Sequence, residues 1–280
     1  MEYLLSAEKI SAFGEYLHQE ERSKGTIEKY IRDMTAFSAW LDGRSATKEL
    51  ATAWKENLRE NGYACVTINS MLAAWNTFCS FAGWNDFRMK YLRIQRRSFR
   101  DKSRYLTRQE YKRLLKTAYS LHRDRLALLL ETICSTGIRV SEVKYITVGA
   151  AKLGRTEISL KGKIRTILLP AKLCQKLLKY ARKQKIASGE IFLTGSGKSL
   201  SRGQIWAEMK KLCKRASVET SKVFPHNLRH LFASVFYQEC HDIARLADVL
   251  GHSSIETTRI YLLTTGMEQR KQLDRLGLVS

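Results

Sequence analysis

The chain has 280 residues, of which 44% are hydrophobic and 10% aromatic. It is therefore long enough for two domains, each with a buried core, and this composition excludes a disordered chain. Lysine and arginine total 49 against 27 acidic residues, a formal net charge of +22. Because basic residues recur in nearly every segment, this excess favours nucleic acid over a membrane surface as the partner.

The N-terminus and the cysteines indicate the cellular compartment. Acidic residues occur from Glu2 onward and no long apolar run follows, so we expect a cytoplasmic, nucleoid-associated protein without a membrane span. Six cysteines would permit disulfides, but they lie far apart and form no CxxC pair. We therefore expect buried thiols and no metal site. They are Cys65, Cys79, Cys134, Cys174, Cys213 and Cys240.

The first third of the chain, residues 1–92, is predicted to be a small helical bundle. Apolar residues at helical spacing from Ser23 to Leu41 predict an amphipathic helix with Thr26 as its N-cap. A weaker periodic stretch covers 47–60, and 66–81 supplies another apolar helix face.

A basic stretch comes next, with ten lysines or arginines and two acids between residues 93 and 116. Its first part, 93–104, has no helical or strand periodicity and is predicted to be an interdomain linker. Two interpretations stay open with equal weight: a solvated connector, or a segment that lies along a phosphate backbone and adds salt-sensitive affinity. The candidate DNA contacts are Arg93, Arg96, Arg97, Arg100, Lys102 and Arg104.

The remaining part, 105–280, is predicted to be mainly helical with one small β-hairpin. Helices are expected over 107–118 and 124–135 and again from Ala171. Two short β-rich runs, 156–160 and 164–169, flank Lys161-Gly162-Lys163, the pattern of a hairpin.

Three short segments of this part combine residues able to act on a phosphate. In GIRVSEV, Gly137 ends the buried helix, and Arg139 and Glu142 open the next element on a shared face. Alone, such an arginine is more often an ordinary surface residue.

In PHNLRH, Pro225 suits a first helical turn, and His226 and Arg229 lie three residues apart. A helix N-terminus that presents a histidine and an arginine is suited to bind a phosphate. The opposite face is expected to be core: Leu228, Leu231, Phe232, Val235 and Phe236.

In LGHSSIETTRIY, Gly251 closes a helix and Ser253 with Glu256 is predicted to form a capping box for the next. His252 lies in the corner between the two helices. Tyr261 falls near the end of the second helix, where a tyrosine more often packs on the core.

Together the three segments supply what phosphodiester cleavage needs: a hydroxyl nucleophile, cations for the developing charge and a proton donor. In this order they closely resemble the signature segments of the tyrosine recombinases of the phage integrase family, over residues 105–265. More loosely, the N-terminal part resembles the helical core-binding domain of these enzymes. The resemblance implies a helical core-binding domain followed by an α+β catalytic domain, which together clamp the duplex.

The resemblance implies roles residue by residue. Arg139 and Arg229 would clamp the scissile phosphate, His226 and His252 would hydrogen-bond its oxygens and assist proton transfer, and Tyr261 would attack the phosphorus.

The family's hairpin lysine protonates the leaving oxygen and matches Lys161 best. The turn looks one residue shorter than the common pattern, so Lys163 stays an alternative. Glu142 matches the acidic position beside the first arginine and would orient basic side chains.

The resemblance further implies a 3′-phosphotyrosyl intermediate, no cofactor, and a tetramer that exchanges strands between two DNA sites through a Holliday junction, with an accessory directionality factor as a further partner. The tail from Met267 to Leu276 would dock on a neighbouring protomer. Two alternatives stay open: a type IB topoisomerase that relaxes supercoils, and a sequence-specific DNA-binding protein without catalysis.

Overall fold

A computed structural model describes residues 3–94, 102–160, 163–261, 270 and 274–276. The chain divides into two compact units, Met1–Arg96 and Arg97–Ser280, which are described separately below. In the described residues the structure is mainly helical, with one two-stranded sheet, as predicted. None of the helices in this part of the chain combines the length and apolarity needed to cross a bilayer.

The N-terminal unit is a bundle of four helices around an aromatic core. Fully buried rings of Phe13, Phe37, Trp75 and Phe78 stack and meet edge to face, with ring centroids 4.7 Å apart between Phe37 and Trp75, an arrangement that adds to the free energy of area burial. The helices are α1 (Ala7–Gln19), α2 (Lys24–Leu41), α3 (Lys48–Glu60) and α4 (Cys65–Ala82).

Two local predictions for this unit were wrong. Helix α2 begins at Lys24, so Ser23 and not Thr26 is the N-cap residue; the Thr26 hydroxyl instead lies 2.8 Å from that of Ser23. Cys65 is exposed because it opens α4 outside the apolar stripe. Of the other cysteines, two are half-buried, Cys134 and Cys240, and three are buried, Cys79, Cys174 and Cys213.

The second unit is built around a central apolar helix. That helix, α6 (Asp124–Thr136), has a nearly continuous run of buried residues, because other helices of the unit pack around it. Further helices of this unit are α5 (Arg108–Ser120), α7 (Val148–Leu153), α8 (Ala171–Lys183), α9 (Arg202–Ala216), α10 (Pro225–Cys240), α11 (Ile243–Leu250) and α12 (Ile255–Arg259).

The predicted hairpin is present. Strands β1 (Arg155–Leu160) and β2 (Lys163–Leu168) pair antiparallel, and Leu160 pairs with Lys163, so the connection is two residues long. Ile158 and Ile167 are buried and hold one face of the hairpin on the core of the unit, as the alternation of a half-buried strand requires.

The C-terminal end of α6 packs closely against α10. Gly137 ends α6 with a left-handed backbone, φ +64°. A Cβ at this position would lie 2.4 Å from the Phe232 ring of α10. The absence of a side chain therefore lets the two helices approach, which places the C-terminal carbonyls of α6 beside the first turns of α10.

Candidate active site

The first turns of α10 present an exposed histidine and a buried arginine. Phe224 is extended and Pro225 occupies the first helical position, as predicted, because proline's fixed φ suits that turn. His226 follows and is exposed. Arg229 lies one turn later and is only 2% exposed.

Arg229 is held by the ends of two other helices. Its Nη1 donates to the Gly137 carbonyl at the end of α6. Its Nη2 lies 2.7 Å from the Leu250 carbonyl at the end of α11 and 2.9 Å from His252 Nε2. Helix C-termini carry partial negative charge, so they stabilise this buried guanidinium without a carboxylate.

The second arginine of the site is fixed by a buried carboxylate. Arg139 precedes a 3₁₀-helix, Val140–Tyr145. Glu142, 1% exposed, accepts from the Arg139 backbone N–H at 2.7 Å and from its Nη1 at 2.9 Å. The Arg139 side chain stays 42% exposed, so it is oriented on one side and open to a ligand on the other.

A third arginine belongs to the same cluster and was not predicted. Arg165 of β2 points to the core side of the hairpin; its Nη1 lies 2.7 Å from the Leu250 carbonyl and 3.5 Å from both carboxylate oxygens of Glu142. Two guanidinium groups thus share the Glu142 carboxylate, and Arg229 lies nearby on carbonyl groups, which leaves the cluster with an excess of positive charge.

His252 has a defined tautomer in this arrangement. Arginine only donates, so the contact with Arg229 requires an unprotonated Nε2 as acceptor. The proton then lies on Nδ1, which donates to Thr258 Oγ1 at 2.9 Å. Burial, followed by the charge of Arg229, lowers the pKa of His252 to about 4, so the imidazole is neutral near pH 7.

The other titratable groups respond to the same crowding of positive charge. Burial and then the charge of Arg139 lower the pKa of Arg229 to about 10, against an opposing interaction with Tyr261; the guanidinium remains charged at neutral pH. Desolvation and then the charges of Arg229 and Arg139 also lower the pKa of His226. The surroundings therefore favour an anion.

Tyr261 lies against this cluster. Its side chain is 4% exposed, and its ring is 4.9 Å from that of His230 and stacked 6.0 Å from that of His252, between centroids. It comes two residues after α12, and its backbone N–H donates to the Thr258 carbonyl at 3.0 Å. Arg139, Glu142, His226, Arg229, His252 and Tyr261 are thus brought together.

Two details around the site differ from prediction. The residue that caps α12 is Ser254, which is extended and whose hydroxyl accepts from Glu256 N–H, so the predicted Ser253 box is wrong. On α10, Leu228 and Leu231 are buried, whereas Phe232, Val235 and Phe236 are only half-buried, because they line an open groove of about 650 Å³.

The hairpin lysines and the linker arginines are described only in part. Lys161 lies outside the described residues, and Lys163 opens β2 opposite Leu160. Of the linker residues, Arg93 and Arg104 are exposed, and the Arg104 carbonyl accepts from the Asn227 side chain at 2.9 Å. Outside the described backbone or side chains are Arg96, Arg97, Arg100 and Lys102.

Three residues that contact the predicted site residues were not themselves predicted: Arg165, His230 and Thr258. For Arg165 a signal existed, because strand alternation puts it on the same face as Ile167, and a charged residue on a core face needs a reason. Thr258 and His230 carried no such signal, since they are recognised only by what they touch.

Comparison with known proteins explains this constellation. Residues 104–265 match the phage integrase family, and residues 10–86 match the phage integrase N-terminal SAM-like domain. The chain belongs to the phage integrase family. It is a site-specific tyrosine recombinase, an enzyme that cleaves, exchanges and rejoins DNA strands, as its three motifs predicted.

Individual relatives of this tyrosine recombinase span nearly its whole length. Tyrosine recombinase XerA of Pyrococcus furiosus is 30% identical, over 99% of this chain and 97% of the relative. The XerH site-specific recombinase bound to its difH substrate, a pre-cleavage complex, has a TM-score of 0.70 and 19% identity over 95% of this chain and 84% of that one. A lambda integrase dimer bound to a core site has a TM-score of 0.72 and 16% identity, over 91% and 94%.

Proposed function

We propose that Tyr261 is the nucleophile of this recombinase and that Arg229 is the centre of its phosphate site. The observation that carries the proposal is that the buried Arg229 guanidinium contacts His252, whose ring stacks on the ring of Tyr261 in the same chain. A tyrosine placed at a cation can attack a phosphorus while the charge that leaves the phenol passes onto the phosphate.

The proposed phosphate ligands are Arg229, Arg139 and the first turn of α10. Arg139 has an open side, and the α10 N-terminus adds a favourable dipole. A phosphodiester oxygen that takes an Arg229 N–H would compete with His252 Nε2, the present acceptor. Substrate binding is therefore expected to release this histidine.

Proton transfer is assigned to the histidines and to the hairpin lysine. A bound phosphate supplies negative charge that offsets the arginines, so the pKa of His252 and of His226 should rise from their lowered values. A protonated His252 could then donate a hydrogen bond from Nε2, which its present tautomer cannot do. Protonation of the leaving 5′-oxygen is assigned to Lys161, with Lys163 as the alternative, and Glu142 orients Arg139.

Attack by the phenol yields a 3′-phosphotyrosyl ester and a free 5′-hydroxyl. The ester keeps the energy of the broken bond, so the reverse attack by a 5′-hydroxyl reseals the strand, and the proposal requires no cofactor. Exchange between two sites would proceed through a Holliday junction in a tetramer, with an accessory directionality factor as a further proposed partner.

The proposal extends to the domains. Residues 1–92 would bind the DNA core site, residues 93–104 would link the two domains, and residues 105–280 would cleave the DNA strand. The match of 10–86 to the SAM-like domain of integrases supports the first assignment. The excess of lysine and arginine lies almost entirely after residue 92 and supports a duplex partner for the linker and the catalytic part.

We also propose that the tail from Met267 to Leu276 docks on a neighbouring protomer. The groove beside α10 supports this, because Phe232 and Phe236 line it and remain half-buried. Deletion of the tail should lower synapsis of two sites, measured by mobility shift, while monomer binding to one site is unchanged. Unaltered synapsis would contradict the docking.

The function itself is tested with two DNA substrates. We expect the wild-type enzyme, and not Tyr261→Phe, to exchange strands between two copies of its site in one plasmid. Relaxation of a supercoiled plasmid without exchange would favour the topoisomerase alternative. Tight binding with neither reaction would favour a DNA-binding protein that lacks catalysis.

A further inference from the structure

Arg165 lies on the core side of the hairpin although a charged residue is costly there. Its side chain is 11% exposed. Its stem packs on the corner between α11 and α12, where a Cβ at Gly251 would lie only 2.3 Å from Arg165 Cδ. The glycine and the arginine thus fit together, directly before His252.

The hydrogen bonds of Arg165 are unevenly distributed. Nη1 makes all the polar contacts found for this group, to the Leu250 carbonyl and the Glu142 carboxylate. Nε and Nη2 are buried and have no hydrogen-bond partner within the described part of the chain. Such unpaired groups weaken the fold, so this arginine is not explained by stability alone.

Both acceptors of Arg165 are shared with residues of the proposed phosphate site. The Leu250 carbonyl also accepts from Arg229, and the Glu142 carboxylate also accepts from Arg139. Arg165 therefore joins the two arginine sites, beside the longer 3.4 Å contact of Arg139 Nη2 with the Gly251 carbonyl. Its own nitrogens Nε and Nη2 are buried, so it is not placed to contact a phosphate directly.

We propose that Arg165 is a positioning residue for strand cleavage, which fixes the Leu250–His252 corner against Glu142 and so sets the geometry of Arg229 and Arg139. This inference rests on the proposed function of those arginines. It predicts that loss of Arg165 lowers the rate of the chemical step more than it lowers DNA affinity, because the arginines remain present but lose their alignment.

The test measures single-turnover cleavage of a nicked suicide substrate by the full-length chain at saturating DNA. A displacement of about 1 Å in a reacting group can cost about 10²-fold in rate, so we expect a loss of that order for Arg165→Ala with little change in Kd. Arg165→Lys should recover part of the rate, since an ammonium can still donate to the Leu250 carbonyl. The matched control is Arg155→Ala, an exposed arginine of the same hairpin.

A double-mutant cycle separates alignment from general loss of stability. Gly251→Ala should push the Arg165 stem aside and slow cleavage, and in the Arg165→Ala background the same change should cost much less. The left-handed backbone at residue 251, φ +64°, penalises alanine equally in both backgrounds. Independent, multiplicative effects on the rate would contradict the proposed contact.

The outcomes distinguish this inference from the proposed function. Absence of a Tyr261-dependent adduct in the wild type would overturn both. A normal wild-type adduct, with Arg165→Ala cleaving at the wild-type rate or losing only DNA affinity, would overturn the role of Arg165 alone. Thermal melting of each variant checks that the chain is folded at the assay temperature.

Discussion

His252 illustrates how one residue's protonation is set by its neighbours. Arg229 can only donate, so it takes the Nε2 lone pair, and Thr258 takes the Nδ1 proton. Burial and the surrounding arginines then oppose a second proton on the ring. The free enzyme therefore keeps this imidazole neutral near pH 7.

The lowered pKa of His252 makes folding stability depend on pH. In the folded chain this pKa is about 4, against a usual 6.5, so the unfolded chain binds the proton first as the pH falls. The contribution of the neutral His252 to the free energy of unfolding is complete above pH 6.5 and is lost progressively between about pH 6.5 and 4.

We expect His252→Gln to lose stability less steeply than the wild type between pH 7 and pH 5. The measurement is the free energy of unfolding in urea at both pH values. The comparison cancels the other histidines, including His226, whose pKa is also lowered. Equal pH dependence of the free energy of unfolding in the two proteins would show that the pKa of His252 is not lowered.

At the scale of elements, the packing of the end of α6 against α10 positions the residues of the site. Gly137 supplies both the close approach to Phe232 and a carbonyl for Arg229. An added methyl group would force the Phe232 ring away and move the α10 backbone that carries Arg229. The packing of Gly137 against Phe232 therefore constrains the position of Arg229 and so affects the reaction directly.

Gly137→Ala should destabilise the protein by about 1–3 kcal/mol from overpacking, in addition to about 1–2 kcal/mol for a left-handed alanine. The matched control is Gly154→Ala, which has a similar backbone, φ +69°, with nothing within 4 Å of the added Cβ. Urea unfolding of both variants isolates the packing cost. Equal losses would mean that the contact with Phe232 is relieved without strain.

The elements were largely predictable and some contacts were not. The apolar period marks α2 and α6, and the β-rich runs around Lys161-Gly162 mark the hairpin, because these depend on local patterns. The cap of α12 was assigned one residue early, since two successive serines offer the same hydroxyl. Arg165 was missed because its partner carbonyl at Leu250 is 85 residues away in sequence.

For the whole molecule, the excess of positive charge controls how it meets DNA. Each cation that contacts a phosphate releases counterions, so binding weakens linearly with the logarithm of salt concentration. The two interpretations of the linker predict different slopes. A linker along the duplex contributes to this slope, whereas a solvated connector does not.

We expect the double variant Arg93→Gln and Arg104→Gln to reduce the salt slope of duplex binding by about 2, or about 1 for each lost phosphate contact. Both side chains are exposed, so their removal should leave the fold intact, which circular dichroism checks. The measurement is Kd by fluorescence anisotropy over a series of salt concentrations. An unchanged slope would leave the linker as a solvated connector.

The most direct measurement is the identity of the residue that becomes joined to DNA. A nicked suicide substrate traps the covalent complex, and peptide mass spectrometry after nuclease digestion locates the attached nucleotide. We expect it on the peptide that contains Tyr261, at the 3′-phosphate, and absent from Tyr261→Phe. An adduct on another residue, or one that persists in Tyr261→Phe, would contradict the assignment of Tyr261 as the nucleophile.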